Sequence, residues 1–227
     1  MSINWFGMLR YFGLASSGVL IMCSLYAGLI YRGKAGERYS PANHFISELG
    51  ELGTSRGARV FNGGLIASGL LLIPFFIGLG TALQSVLGWM GGASGIGSAV
   101  ACGLVGCFPM NNLKPHTVVA VAFFRLGLLT MILFGVALLA QPAGVTSLPR
   151  WLGVAGLLGA LSYASFLLSF KPKAKETAPD TEAPTGSENP LDPSLQIERP
   201  RFWRLAILEW GIFGVNVVWF LLAVVAG

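Results

Sequence analysis

The chain has two histidines, His44 and His116, and each lies in a polar stretch between long apolar runs. The first stretch reads Tyr39-Ser40-Pro41-Ala42-Asn43-His44-Phe45-Ile46-Ser47-Glu48-Leu49-Gly50, with Glu51 and Leu52 following. Ser40 suits an N-cap, Pro41 the first helical position, and Gly50 a left-handed helix end. A short interfacial helix is therefore predicted near 41–49. Four residues apart, His44 and Glu48 would share one face of it. A carboxylate beside an imidazole orients the ring and favours its protonated form, which suits proton transfer. Phe45, Ile46, Leu49 and Leu52 fall on another side. The same helix thus has a second reading, an amphipathic segment on the membrane surface whose polar face is simply solvated.

The second stretch, Phe108 to His116, contains Asn111 and the other histidine. Catalytic candidates are accordingly His44, Glu48 and His116. Two imidazoles and a carboxylate are also the ligand set of a catalytic zinc site, but HExxH spacing is absent and the three residues would have to converge from separate loops. No metal and no cofactor is assigned. Two charges fall inside apolar runs, Arg125 and Glu209, and charges at membrane depth are expensive enough to require a reason. Arg125 is nine residues after His116 and Glu209 eight after Arg201. At 1.5 Å per residue this predicts similar depths, about 12 to 14 Å from those markers, and hence a buried Arg125–Glu209 pair. Such a pair either fixes helix packing or forms part of a site, with Arg125 contacting a lipid headgroup or anion. Together with Asn111 and Asn62 these two residues make up the candidate substrate-contacting set.

What must position these groups is a membrane bundle. Of 227 residues, 54% are hydrophobic and 11% charged, far from soluble composition. The apolar runs are unbroken for about 20 residues, the length a helix needs to cross the hydrocarbon, and they lack the ten-residue alternation of a barrel. Six spans are predicted, near 10–31, 58–80, 85–108, 117–140, 150–170 and 203–226, giving an all-α, polytopic membrane helix bundle. The first run is read as a retained helix rather than a signal peptide. Only Thr81-Ala82-Leu83-Gln84 separates the second and third spans, which predicts a tight hairpin.

From Lys171 to Pro200 the chain has six prolines, six acidic residues and no aromatic residue. This reads as a disordered polar linker over 171–200, between a five-helix unit at 1–170 and a sixth helix at 201–227 packing back on it. Twelve of the 15 Lys and Arg residues lie in the first, third and fifth loops, against Arg10 and Arg150 on the other side. The positive-inside rule puts those three loops in the cytoplasm and both termini outside, in the cytoplasmic membrane. Basic flanks facing anionic lipid account for the net charge of +5. Membrane lipids are the expected partners.

Gly91, Gly95, Ala99, Gly103 and Cys107 recur at every fourth position of the third span. This small-residue row allows close helix approach, within the chain or in a homo-oligomer. Cys23, Cys102 and Cys107 read as buried, inert thiols. Phosphate-binding loops, a GxSxG elbow and a dinucleotide fingerprint are absent, and nothing supports nucleic-acid binding.

Tyr39-Ser40-Pro41 through Ile46-Ser47-Glu48-Leu49-Gly50, then Arg59-Val60-Phe61-Asn62-Gly63-Gly64-Leu65 with Ser68-Gly69-Leu70, and later Gly106-Cys107-Phe108-Pro109 before His116, resemble a prokaryotic multi-pass family catalogued as domain of unknown function 998. The resemblance covers about residues 10 to 170. It implies the membrane architecture and draws attention to the first and third loops, but brings no activity. Three functional classes follow from the residues: lipid handling at the cytoplasmic leaflet, a small transporter or permease using Arg125 and Glu209, and a non-catalytic scaffold. Whether the chain is an enzyme stays open at this point.

Overall fold

The computed structural model describes residues 5–142, 144–170 and 200–227. Among the described residues six helices are long and apolar enough to cross a membrane: α1 (Trp5–Ile30), α2 (Ala58–Ala82), α3 (Val86–Cys107), α4 (Leu113–Ala140), α5 (Arg150–Ser169) and α6 (Arg204–Ala226). Strands are absent among those residues. Four of the six match the sequence-predicted spans to within about two residues. The first begins earlier than predicted, at Trp5, and the fourth begins at Leu113 rather than 117. Pro115 explains the second difference, because an imino acid is tolerated in the first turn, where no intrahelical partner is lost. His116 consequently belongs to α4 and not to a loop. The linker predicted over 171–200 falls, up to residue 199, outside the described residues.

Each helix packs on its neighbour in sequence, and α6 closes the circle against α1. At that closure Arg10 donates to the Val224 carbonyl at 3.0 Å. The bundle is thus a ring of six helices. Its outer face is apolar, as a lipid solvent requires; Leu29 and Val225 are 80% and 85% exposed. Between α2 and α3 the connection is the tight hairpin expected. Gln84 takes a left-handed conformation, φ 43°, and the Ser85 hydroxyl caps α3 by accepting from the Gly88 N–H at 3.0 Å.

The small-residue row of α3 is used inside the chain. A Cβ on Gly69 of α2 would lie 2.5 Å from the Ala99 carbonyl oxygen, and Gly91 and Gly95 abut the rings of Phe134 and Phe76. Where backbones approach this closely, hydroxyls replace apolar contacts: Ser16 and Ser68 each donate to the other's carbonyl at 3.3 Å, tying α1 to α2. Aromatic rings fill the middle of the ring in the half remote from the first loop. Phe76 stacks on Phe134 at 6.2 Å and Phe134 on Trp219 at 6.0 Å, while Phe75 and Phe220 meet edge to face at 5.4 Å. Such pairs add about 0.5 to 1.5 kcal/mol each beyond the area they bury.

Candidate functional site

In the other half the first loop folds inward. The predicted helix near 41–49 is not formed. Residues 41–44 make a turn, Phe45 is extended, and a short 3₁₀ helix spans Ile46–Gly50. Ser40 contributes its backbone carbonyl, accepting from the N–H groups of Asn43 and His44. The left-handed glycines of this loop are Gly36, φ 78°, and Gly53, φ 85°, and not Gly50. Side-chain partners elsewhere in the chain outcompete the local helix. The Glu48 carboxylate accepts from the Phe45 N–H at 2.9 Å, half of a capping box. Asn62 of α2 donates to the Gly50 carbonyl at 3.0 Å. Glu209 of α6 accepts from the Ile46 N–H at 2.8 Å, and Ser47, next in sequence, interacts with the same carboxyl group.

His44 and Glu48 therefore do not form a pair. The His44 ring is buried and lies between Tyr31 and Tyr39, with centroids 5.4 and 5.2 Å away. Its Nδ1 is 2.7 Å from Asn43 Oδ1, and Nε2 is 3.8 Å from a Glu37 oxygen, within ion-pair range and beyond hydrogen-bond length. Glu51, on the predicted polar face, pairs instead with Lys34 at 2.9 Å. Tyr39 holds the loop to α6. Its hydroxyl accepts from Trp210 Nε1 at 2.9 Å and donates to the Phe45 carbonyl at 2.9 Å. Burial pushes the Tyr39 phenol well above its ordinary range, and Glu209 and Glu48 add to the effect. Further along, the Trp203 N–H donates to the Ala42 carbonyl at 2.7 Å.

The third loop is fastened to the first by Asn111, which accepts from the Leu52 N–H at 2.7 Å and donates to the Leu52 carbonyl at 2.8 Å. Asn111 and Asn62 thus bind backbone rather than open space. His116 is buried, with Nδ1 2.8 Å from the Phe108 carbonyl. A carbonyl only accepts, so Nδ1 carries the proton, and in the neutral ring Nε2 is left with its lone pair.

Under the 3₁₀ helix lies a cavity of about 100 Å³. Ile46, Ser47, His116 and Glu209 line it toward the loop, and Phe76, Met131 and Phe220 at its far reach. Its lining runs from Phe61 to Phe76 on α2 and from His116 to Met131 on α4. Fifteen residues of helix rise about 22 Å, so the residues lining this slot extend along the bundle axis. Tyr163 and Asn216, bonded to each other at 2.9 and 2.6 Å, lie along it.

Of the predicted set, then, His116 and Glu209 reach the cavity, while His44, Glu48, Asn62 and Asn111 shape the loops above it. Arg125 does not pair with Glu209. It is exposed on the outer face of α4 and does not line the cavity. Sequence spacing constrains height along a helix and leaves the rotation of each helix about its axis undetermined. Among the described residues no three His, Cys, Asp or Glu side chains gather as a ligand set. Ser47, Tyr163 and Asn216 had no signal of their own in the sequence; their place follows from which helix faces close the ring.

The six apolar helices, their lipid-facing exterior and the polar loops gathered at one end define a multi-pass helical membrane protein. Residues 14–226 match the model of the family described as protein of unknown function (DUF998), and the chain belongs to that family. The match extends through α6, beyond the segment whose motifs carried the resemblance. No curated protein and no solved structure matches the chain.

Proposed function

We propose that the protein is lipid-handling, and that it takes the tail of a single-chain amphiphile into the slot between its helices, with the polar head beneath the 3₁₀ helix. The observation that carries this reading is the lining of the cavity: elongated along the bundle axis and mainly apolar, with Ser47, His116 and Glu209 together at the loop end. Sites for small ligands have this character, a mainly apolar wall with a few convergent polar groups. The weight of basic residues in the first, third and fifth loops supports placing the polar end at the cytoplasmic leaflet. A permease built on an Arg125–Glu209 pair has less support, because the two charges are apart and Glu209 holds the loop.

Purification of the full chain in nanodiscs, followed by mass spectrometry of co-purifying lipids, tests the proposal. Wild type is expected to retain a single-chain amphiphile, and Ala120→Trp, which fills the slot from α4, to lose it while keeping its melting temperature. Retention of no lipid by wild type, or equal retention by a folded Ala120→Trp, would overturn it.

A further inference from the structure

The polar end of the slot has a definite hydrogen-bonding sense. The hydroxyls along the slot are already engaged: Ser47 interacts with the Glu209 carboxyl group, Ser98 donates to the Phe123 carbonyl at 3.3 Å, Thr130 to the Leu126 carbonyl at 2.7 Å, and Tyr163 is bonded to Asn216. The Asn216 amide also donates to the Ile212 carbonyl at 2.9 Å. His116 directs its N–H at Phe108, away from any ligand, which leaves the Nε2 lone pair. Glu209 contributes a carboxylate. Among the described residues no lysine or arginine lines the slot, and Arg125 is exposed on the outside. The remaining capacity of this end is therefore to accept hydrogen bonds, at the His116 lone pair and beside the Glu209 carboxyl group.

We infer that the amphiphile taken into the slot has a hydrogen-bond-donating, non-anionic head, a primary alcohol or an ammonium, and that carboxylate and phosphate heads are excluded. An alcohol O–H or ammonium N–H supplies the donor that the His116 lone pair lacks, with the Glu209 carboxyl group beside it. An anionic head would bring only acceptor atoms to the His116 lone pair and the Glu209 carboxyl oxygens, with no lysine or arginine among the described lining residues to offset its charge. Burying unmatched polar groups is the stronger discriminator in such sites, because the site's own groups are then also left without partners. This inference rests on the tail-binding reading above and adds the chemistry of the head to it.

The test uses three hexadecyl probes with a diazirine in the tail and an alcohol, a primary amine or a carboxylate as the head, each incorporated into nanodiscs with the full-length protein. Labelled residues are located by peptide mass spectrometry and normalised to probe content of the bilayer. The alcohol and amine probes are expected to label slot-lining residues of α4 and α6 at least about tenfold more than the carboxylate, the ratio that one lost charge-assisted hydrogen bond produces. Glu209→Gln is expected to reduce amine labelling selectively and to narrow the gap to the carboxylate. Carboxylate labelling equal to or above the other two in wild type would overturn the inference while leaving tail binding in place. Absence of slot labelling by all three would overturn tail binding, and this inference with it.

Discussion

The carboxylate of Glu209 accepts a hydrogen bond of 2.8 Å from the backbone N–H of Ile46, 163 residues earlier in the chain. This bond joins the sixth helix to the loop that covers the cavity. It also explains why a charge is kept within an apolar helix: the first turn of the 3₁₀ helix has N–H groups without intrahelical partners, and a carboxylate satisfies them better than any neutral group of its size. Replacing Glu209 by Ala should leave the Ile46 N–H without its partner and destabilise the protein by about 1 to 3 kcal/mol. Glu209→Gln keeps an acceptor oxygen and should lose less. Hydrogen exchange at Ile46 and Ser47 is the measurement that separates the two, faster in Glu209→Ala than in Glu209→Gln. Equal rates in both variants and wild type would mean that the bond does not hold the loop.

Tyr39 makes the second connection between loop and sixth helix, and it predicts a pH dependence. Its buried phenol has a raised pKa in the folded protein, whereas in the unfolded chain it titrates near about 10. The unfolded state therefore loses the proton first as pH rises. The stabilising contribution of Tyr39 is complete below about pH 10 and declines above it. Tyr39→Phe removes the acceptor for Trp210 and should cost about 1 to 3 kcal/mol at neutral pH. The difference in melting temperature between wild type and Tyr39→Phe should shrink between about pH 10 and 11. A constant difference across that range would contradict the assignment.

Asn111 acts on the other side of the first loop through two opposed hydrogen bonds to Leu52. Asn111→Ala removes both, at about 1 kcal/mol given its exposure. Asn111→Asp keeps the acceptor for the Leu52 N–H but sets a second oxygen against the Leu52 carbonyl. The near-isosteric change should therefore be at least as damaging as truncation. Thermal melts of the two variants decide this: an aspartate variant as stable as wild type would show that the amide donor contributes nothing.

The helices were legible because their signal is local. A run of about 20 apolar residues such as Leu65 to Leu83 has one economical structure in a bilayer, whatever surrounds it. The loop was less so. Ser40, Pro41 and Gly50 have the right types and spacing for a capped helix, but Asn62 and Glu209 offer stronger partners to the same backbone, and neither is near in sequence. Glu209 and Arg125 are both charges inside apolar runs, yet Glu209 lines the cavity, as does the loop histidine His116, while Arg125 faces outward. The hydropathy of α4 does not distinguish these cases, since its apolar residues surround it on all sides and leave no stripe to fix its rotation.

Close packing of α2 on α3 gives a prediction that compares two glycines six residues apart. At Gly69 an added Cβ would lie 2.5 Å from the Ala99 carbonyl oxygen and 2.9 Å from the Gly103 nitrogen, all backbone atoms of α3. Backbone within a helix cannot turn aside as a side chain can, so Gly69→Ala must push the helices apart. The expected cost is about 1 to 3 kcal/mol. At Gly63 an added Cβ meets nothing within 4 Å. There the same substitution should stabilise, by about 0.5 to 1 kcal/mol, because alanine loses less conformational freedom in a helix than glycine. Melting temperatures of the two variants should therefore move in opposite directions from wild type. If Gly69→Ala were neutral or stabilising, the α2–α3 seam would have to be looser than the small-residue row implies.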